Sequence, residues 1–132
     1  MQLSTRYGLV GIAALGALSL VHWGRKLQFE APEIVLYSMG VLPNVAAAIA
    51  IPFVLLGIWA DQKPVATYQA ARRRMAVLTL VAGIGLIAWE YMQQSSGSLV
   101  FDYHDIAATM FGLAVAWLLF VLLTPRASAI AA

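Results

Sequence analysis

Ile34 to Ala60 reads IVLYSMGVLPNVAAAIAIPFVLLGIWA, 27 residues without a charged side chain. The hydrocarbon core of a bilayer is about 30 Å thick and takes about 20 apolar helical residues to cross. A run of this length and character is a membrane span. It must be helical despite its valines and isoleucines, because no water is present to satisfy an open backbone. It is also longer than one straight crossing needs. Gly40, Pro43 and Pro52 within it predict a tilted or kinked helix, or a short interfacial turn before the buried part. Pro43-Asn44 is a candidate start for that buried part, since a proline in the first turn of a helix has no hydrogen bond to lose.

Three further apolar runs flank it, at about Tyr7–Trp23, Met75–Met92 and Ile106–Thr124. Together they predict an all-α fold: one polytopic membrane domain over residues 1–132, a bundle of four transmembrane helices at about 7–23, 34–60, 75–92 and 106–124. Composition agrees, with 62% apolar and 11% charged residues and a mean hydropathy of +0.83. A soluble domain is nearer half apolar and a quarter charged. Four spans leave no room for a soluble domain, and the net charge of +2 gives no reason to expect a nucleic-acid partner. With no cysteine, disulfides, thiolate metal sites and cysteine nucleophiles are excluded. Arg6 and Ala17-Leu18-Ser19 give the first run some likeness to a secretory signal. Its apolar character continues through Val21 and Trp23, so a retained span is expected.

Charge sets the expected orientation. With four crossings, Arg6, Lys63, Arg72, Arg73, Arg74 and Arg126 share one side, and only Arg25 and Lys26 fall on the other. The positive-inside rule then puts both termini in the cytoplasm, as in a multi-pass protein of a bacterial inner membrane. Arg72-Arg73-Arg74 reads as the ordinary cytoplasmic anchor, held by anionic headgroups. Glu30, Glu33, Glu90, Asp102 and Asp105 lie outside, leaving Asp61 inside.

Three of those acids surround one short loop. On the fourth run Asp105, Thr109, Gly112 and Ala116 form one helical stripe, and on the third Thr79, Gly83, Ile87 and Glu90 form another. Docked as an antiparallel hairpin, the two stripes would bring Glu90 near Asp102 and Asp105 at the outer end. Small residues permit close helix contact, and hydroxyls can hydrogen-bond across it. Carboxylates so close need a proton, a basic partner or a bound cation. His104, His22, Arg25 and Lys26 are on the same side. Each acid also has a plainer role: Asp102 as the N-cap of the fourth helix, Asp105 in its first turn, Glu90 at headgroup level. His104 reads first as an interfacial histidine and only secondarily as a metal ligand. Trp23, Trp59, Trp89, Tyr91 and Tyr103 suit an aromatic belt.

Catalysis has little support. Ser95, Ser96 and Ser98 near His104 match no nucleophile motif, and a Ser/Gly loop is what a turn requires. Glu90, Asp102, His104 and Asp105 could ligate a divalent cation, which would make a metal-dependent lipid hydrolase, but no H-E-x-x-H pair is present. Ion-coupled carriers place an acid near the bilayer midplane, and here the ionisable groups sit at helix ends.

The spacing E-x-x-Q, a glycine-containing loop, then F-D-x-x-D-x-x-x-(N/T)-x-x-G resembles the signature of VanZ-like membrane proteins. It is carried here by Glu90, Gln93, Gly97, Phe101, Asp102, Asp105, Thr109 and Gly112. Pro43-Asn44 and Pro52-Phe53 resemble the N…P-F element of the preceding helix in that family, so the likeness runs over about residues 40 to 120. It departs where the family has an arginine before F-D, since this chain has Ser98-Leu99-Val100, and where Thr109 replaces the usual asparagine. The missing arginine would leave Arg25 or a bound cation to balance the acids. The resemblance implies a small envelope protein of the kind associated with low-level resistance to teicoplanin, a glycopeptide. The expected ligand site is Glu90 and Asp105, oriented by Asp102, Gln93 and Thr109. It would meet a lipid headgroup, an envelope precursor, a cation or a cationic partner. From another class, the chain would be an accessory subunit of a larger membrane complex or a homo-oligomer, docking through small residues such as Ala13 with Ala17 and Ala46 with Ala50.

Overall fold

A computed structural model describes residues 1–27, 30–63, 67–94 and 102–126. They form four helices: α1 (Leu3–Lys26), α2 (Glu33–Gln62), α3 (Tyr68–Gln94) and α4 (Tyr103–Leu123). Each is long and apolar enough to cross a membrane. Isoleucine, leucine, valine and aromatic side chains remain exposed along all four helices, as lipid-facing surfaces require.

The helices extend beyond the apolar runs that predict them. α3 starts at Tyr68, so Arg72-Arg73-Arg74 lies inside the helix rather than in the linker before it. Arginine and glutamine are good helix formers whose polarity hides them from a hydropathy window. Thr67 stands just before the helix, and its hydroxyl accepts from Ala70 N at 3.2 Å. Arg74 then lies over the Trp59 ring at 5.8 Å, tying α3 to α2.

No interfacial turn precedes the buried part of α2. The helix runs from Glu33 to Gln62 with Pro43 and Pro52 both inside it, so Pro43 does not start it. A proline interior to a helix leaves the carbonyl four residues earlier without its donor. For Pro43 that carbonyl belongs to Met39. The Arg25 guanidinium of α1 supplies the replacement, donating to Met39 O and, at 2.9 Å, to Gly40 O. A neighbouring helix thus repairs the ladder, as buried membrane helices require.

α2 is the central element and packs against all three others. α1 runs antiparallel to it, with the backbone of Gly57 against Gly8 and that of Gly11 against Val54. α4 runs parallel to α2. Gly112 meets Val45 and Ala48 at mid-helix, and Tyr37 meets His104 edge-on at 5.6 Å near their N-terminal ends. α3 returns antiparallel to α4, placing Gly83 against Leu113.

The end of the bundle that carries both termini is closed by aromatics. Tyr7 packs on Phe53 and Phe120 with ring centroids 5.9 and 6.2 Å away, and Tyr68 and Trp117 cover Phe120 further. The fully buried Tyr7 hydroxyl sits 2.7 Å from Thr124 Oγ1. Tyr7→Phe removes one partner and strands the other. In detergent unfolding it should lower stability by about 1–3 kcal/mol, with much of the loss recovered by adding Thr124→Val. An unchanged midpoint for Tyr7→Phe would show that this hydrogen bond contributes nothing.

Candidate functional site

At the opposite end, α2, α3 and α4 converge on a polar cluster inside an otherwise apolar bundle. Glu90 is carried on the face of α3 that also holds Ala82 and Gly83, all three buried. The Glu90 side chain is only 2% exposed. Its Oε1 accepts from Gln93 Nε2 at 3.3 Å, and its Oε2 is buried without a hydrogen-bond partner. Asp105, in the first turn of α4, is half-buried and close enough for the two carboxyls to act on each other. Thr109 is one turn deeper on the same face and wholly buried, and its hydroxyl oxygen also has no partner.

The predicted stripes are real but do not simply zip together. Gly112, the third member of the α4 stripe, rests on Val45 and Ala48 of α2, whereas Gly83 of α3 meets the Leu113 side chain. Both stripes therefore converge on α2 as well as on each other. The reason is Gly112: without a side chain it admits the α2 backbone, and a Cβ there would stand 2.7 Å from Val45 O.

This arrangement brings in a residue the acidic spacing does not select. Asn44 of α2 lies close to both the Glu90 and the Asp105 carboxyl groups, and Glu90 Oε2 is still without a partner. A signal was available. Asn44 is the only carboxamide in the Ile34–Ala60 run and the only asparagine in the chain. A lone amide in a span is expected to face protein rather than lipid. Arg25 belongs to the same end, and its charge acts on Asp105, but its guanidinium is committed to the α2 carbonyls.

Asp102 is placed differently from Glu90 and Asp105. It is the N-cap of α4 and accepts from His104 N at 2.9 Å and His104 Nδ1 at 2.8 Å. It stands exposed at the rim, paired with an exposed His104 whose Nδ1 is 2.8 Å from Asp102 Oδ1. These hydrogen bonds, backbone first and imidazole second, hold the Asp102 carboxyl below the usual carboxylate range. Its capping contribution is therefore present at neutral pH and is lost as pH falls through that lowered value.

Among the described residues no three His, Asp or Glu side chains are grouped to hold a metal ion, and His104 turns to Asp102 and Tyr37. Gly97 and Phe101 of the motif, and Ser95, Ser96 and Ser98, lie outside the described residues. An open groove of about 410 Å³ between α1 and α2 lies at the terminus end, with Asp61 as its one carboxylate, remote from this cluster. Compared with family models, curated proteins and solved structures, the chain gives no match.

Proposed function

We propose that this is a VanZ-like membrane protein of the bacterial envelope, with both termini cytoplasmic and the Glu90–Asp105 cluster facing outward. Glu90 and Asp105 form the core of a binding site for a cationic group on a lipid headgroup, an envelope precursor or a protein partner. Asn44, Gln93 and Thr109 orient that core, and Asp102 with His104 forms its rim. The observation that carries this reading is the Glu90 carboxyl, almost wholly buried with one oxygen unpartnered. A charge in that position is costly unless a partner completes it. The motif spacing and the six-to-two partition of Lys and Arg support the family and the orientation. Glycopeptide protection is the phenotype the resemblance suggests.

The test is complementation of a deletion strain, scored for glycopeptide and envelope-stress sensitivity with membrane abundance measured in the same cells. Glu90→Gln and Asp105→Asn should each lose protection at normal abundance. Protection retained at normal abundance would return both residues to capping and hairpin packing.

A second reading, an accessory subunit, is favoured by α1. That helix packs chiefly on α2 and leaves Leu9, Ile12, Ala13 and Gly16 exposed on its other side. A stoichiometric partner retained in mild detergent would support it, and a monodisperse single species would not.

A further inference from the structure

We propose that the group bound between Glu90 and Asp105 is a primary ammonium, and this rests on the binding-site reading above. Two buried oxygens there await a partner, Glu90 Oε2 on α3 and Thr109 Oγ1 on α4. Thr109 is a separate observation from the acids. It is uncharged, fully buried and one helical turn below Asp105, on the face that Gly112 turns toward α2. With the Asp105 carboxyl, the acceptors are three and come from two helices, α3 and α4. No described basic side chain forms an ion pair with either carboxyl, since Arg25 is held by Met39 O and Gly40 O.

The donor chemistry that fits is narrow. A primary ammonium is compact and carries three N–H donors, one for each of Glu90, Asp105 and Thr109. A guanidinium binds best to both oxygens of one carboxylate in a planar fork, but Oε1 of Glu90 is held by Gln93. A quaternary ammonium has no N–H and seeks aromatic faces, yet Trp89 and Tyr91 on the same helix are exposed outward. A divalent cation prefers six or more oxygens with several carboxylates, and the grouping for it is absent among the described residues. The amine has two sources, an ethanolamine lipid headgroup at this depth of the bilayer or a soluble envelope molecule bearing a free amine.

The experiment uses the full chain in nanodiscs. One arm compares phosphatidylethanolamine with phosphatidylcholine, which differ at the nitrogen, by native mass spectrometry of retained lipid. The other compares ethylammonium with tetramethylammonium and with calcium by thermal shift. Phosphatidylethanolamine retained about tenfold over phosphatidylcholine, roughly one decade of affinity, supports a lipid amine. A shift with ethylammonium alone, and no lipid preference, supports a soluble amine. In either case Glu90→Gln and Thr109→Val must weaken the preference while Asp61→Asn, in the distant groove, leaves it intact. Thr109→Val keeps both carboxyls and so tests the site without altering its charge. No discrimination of primary from quaternary nitrogen in either arm, or a response to calcium alone, overturns the ammonium assignment. Complementation separates the two failures: if Glu90→Gln still loses protection, the site stands with another ligand, and if it protects, the site itself falls.

Discussion

Gly112→Ala is expected to unseat α4 from α2 and to abolish function, while Gly83→Ala, at a similarly tight contact, is tolerated. A Cβ on Gly112 would stand 2.7 Å from both Val45 O and the Ala48 Cβ and 3.0 Å from the Val45 Cα. Two of those atoms are helix backbone and the third is fixed to it, so only a movement of one helix against the other relieves the clash. Overpacking of this kind costs about 1–3 kcal/mol. The helix propensity gained by replacing glycine with alanine returns at most about 1 kcal/mol. The same movement draws Asp105 and Thr109 away from Asn44. At Gly83 a Cβ would meet Leu113 Cδ1 at 2.8 Å, the far end of a flexible side chain that can rotate aside. Gly83→Ala should therefore be neutral or slightly stabilising. Detergent unfolding together with the protection assay reads both variants. Equal behaviour of the two would show that contact with backbone is not what holds α4 in place.

The second large effect concerns Arg25. Arg25→Met leaves the Met39 carbonyl without its donor; a hydrogen bond from a charged donor is worth about 1.5–3 kcal/mol, and the exposure of this one puts the cost at the low end of that range. The diagnostic is a double-mutant cycle with Pro43→Ala. An alanine at position 43 restores the N–H that the proline removes, so Met39 O regains a partner within its own helix. In that background Arg25→Met should cost less by about 1 kcal/mol or more, a coupling expected of residues that share an acceptor. An identical cost in both backgrounds would mean that Arg25 contributes through something other than the gap left by Pro43.

How much of this was legible in the sequence follows from what each signal measures. Hydropathy found four spans because apolar length is all that crossing requires. It placed their ends short, since Tyr68 to Arg74 is helical yet polar and a hydropathy window sees only polarity. Helical periodicity found the Asp105–Thr109–Gly112 stripe, because one face of a helix is a property of one segment. It could not say which neighbour the face meets, and assigned α3 where α2 carries the Gly112 contact. Asn44 was visible as a motif element and as a possible helix start, but its place beside the two carboxyls depends on the parallel register of α2 and α4. No spacing within either helix encodes that register. Arg25 was read as a charge, for topology and as a balance for the acids, and not as a donor to α2. Its hydrogen bonds follow from Pro43, which lies on a different helix. Asp102 shows the reverse, a capping residue recognisable locally and confirmed as one by its bonds to His104.

The central position of α2 also bears on how the chain is made. Helices leave the ribosome in order, so α1 and α2 enter the bilayer before α3 and α4 exist. The contacts of Gly8 and Gly11 with Gly57 and Val54, and the Arg25 bonds at Pro43, lie within this pair, whereas Tyr7 waits for Phe120 and Thr124. Asn44 is not complete, because the carboxyls it serves arrive only with the later pair. Until then its amide lacks both of those neighbours. Docking of α3 and α4 supplies them, so the polar cluster exists only once the last helix is in place.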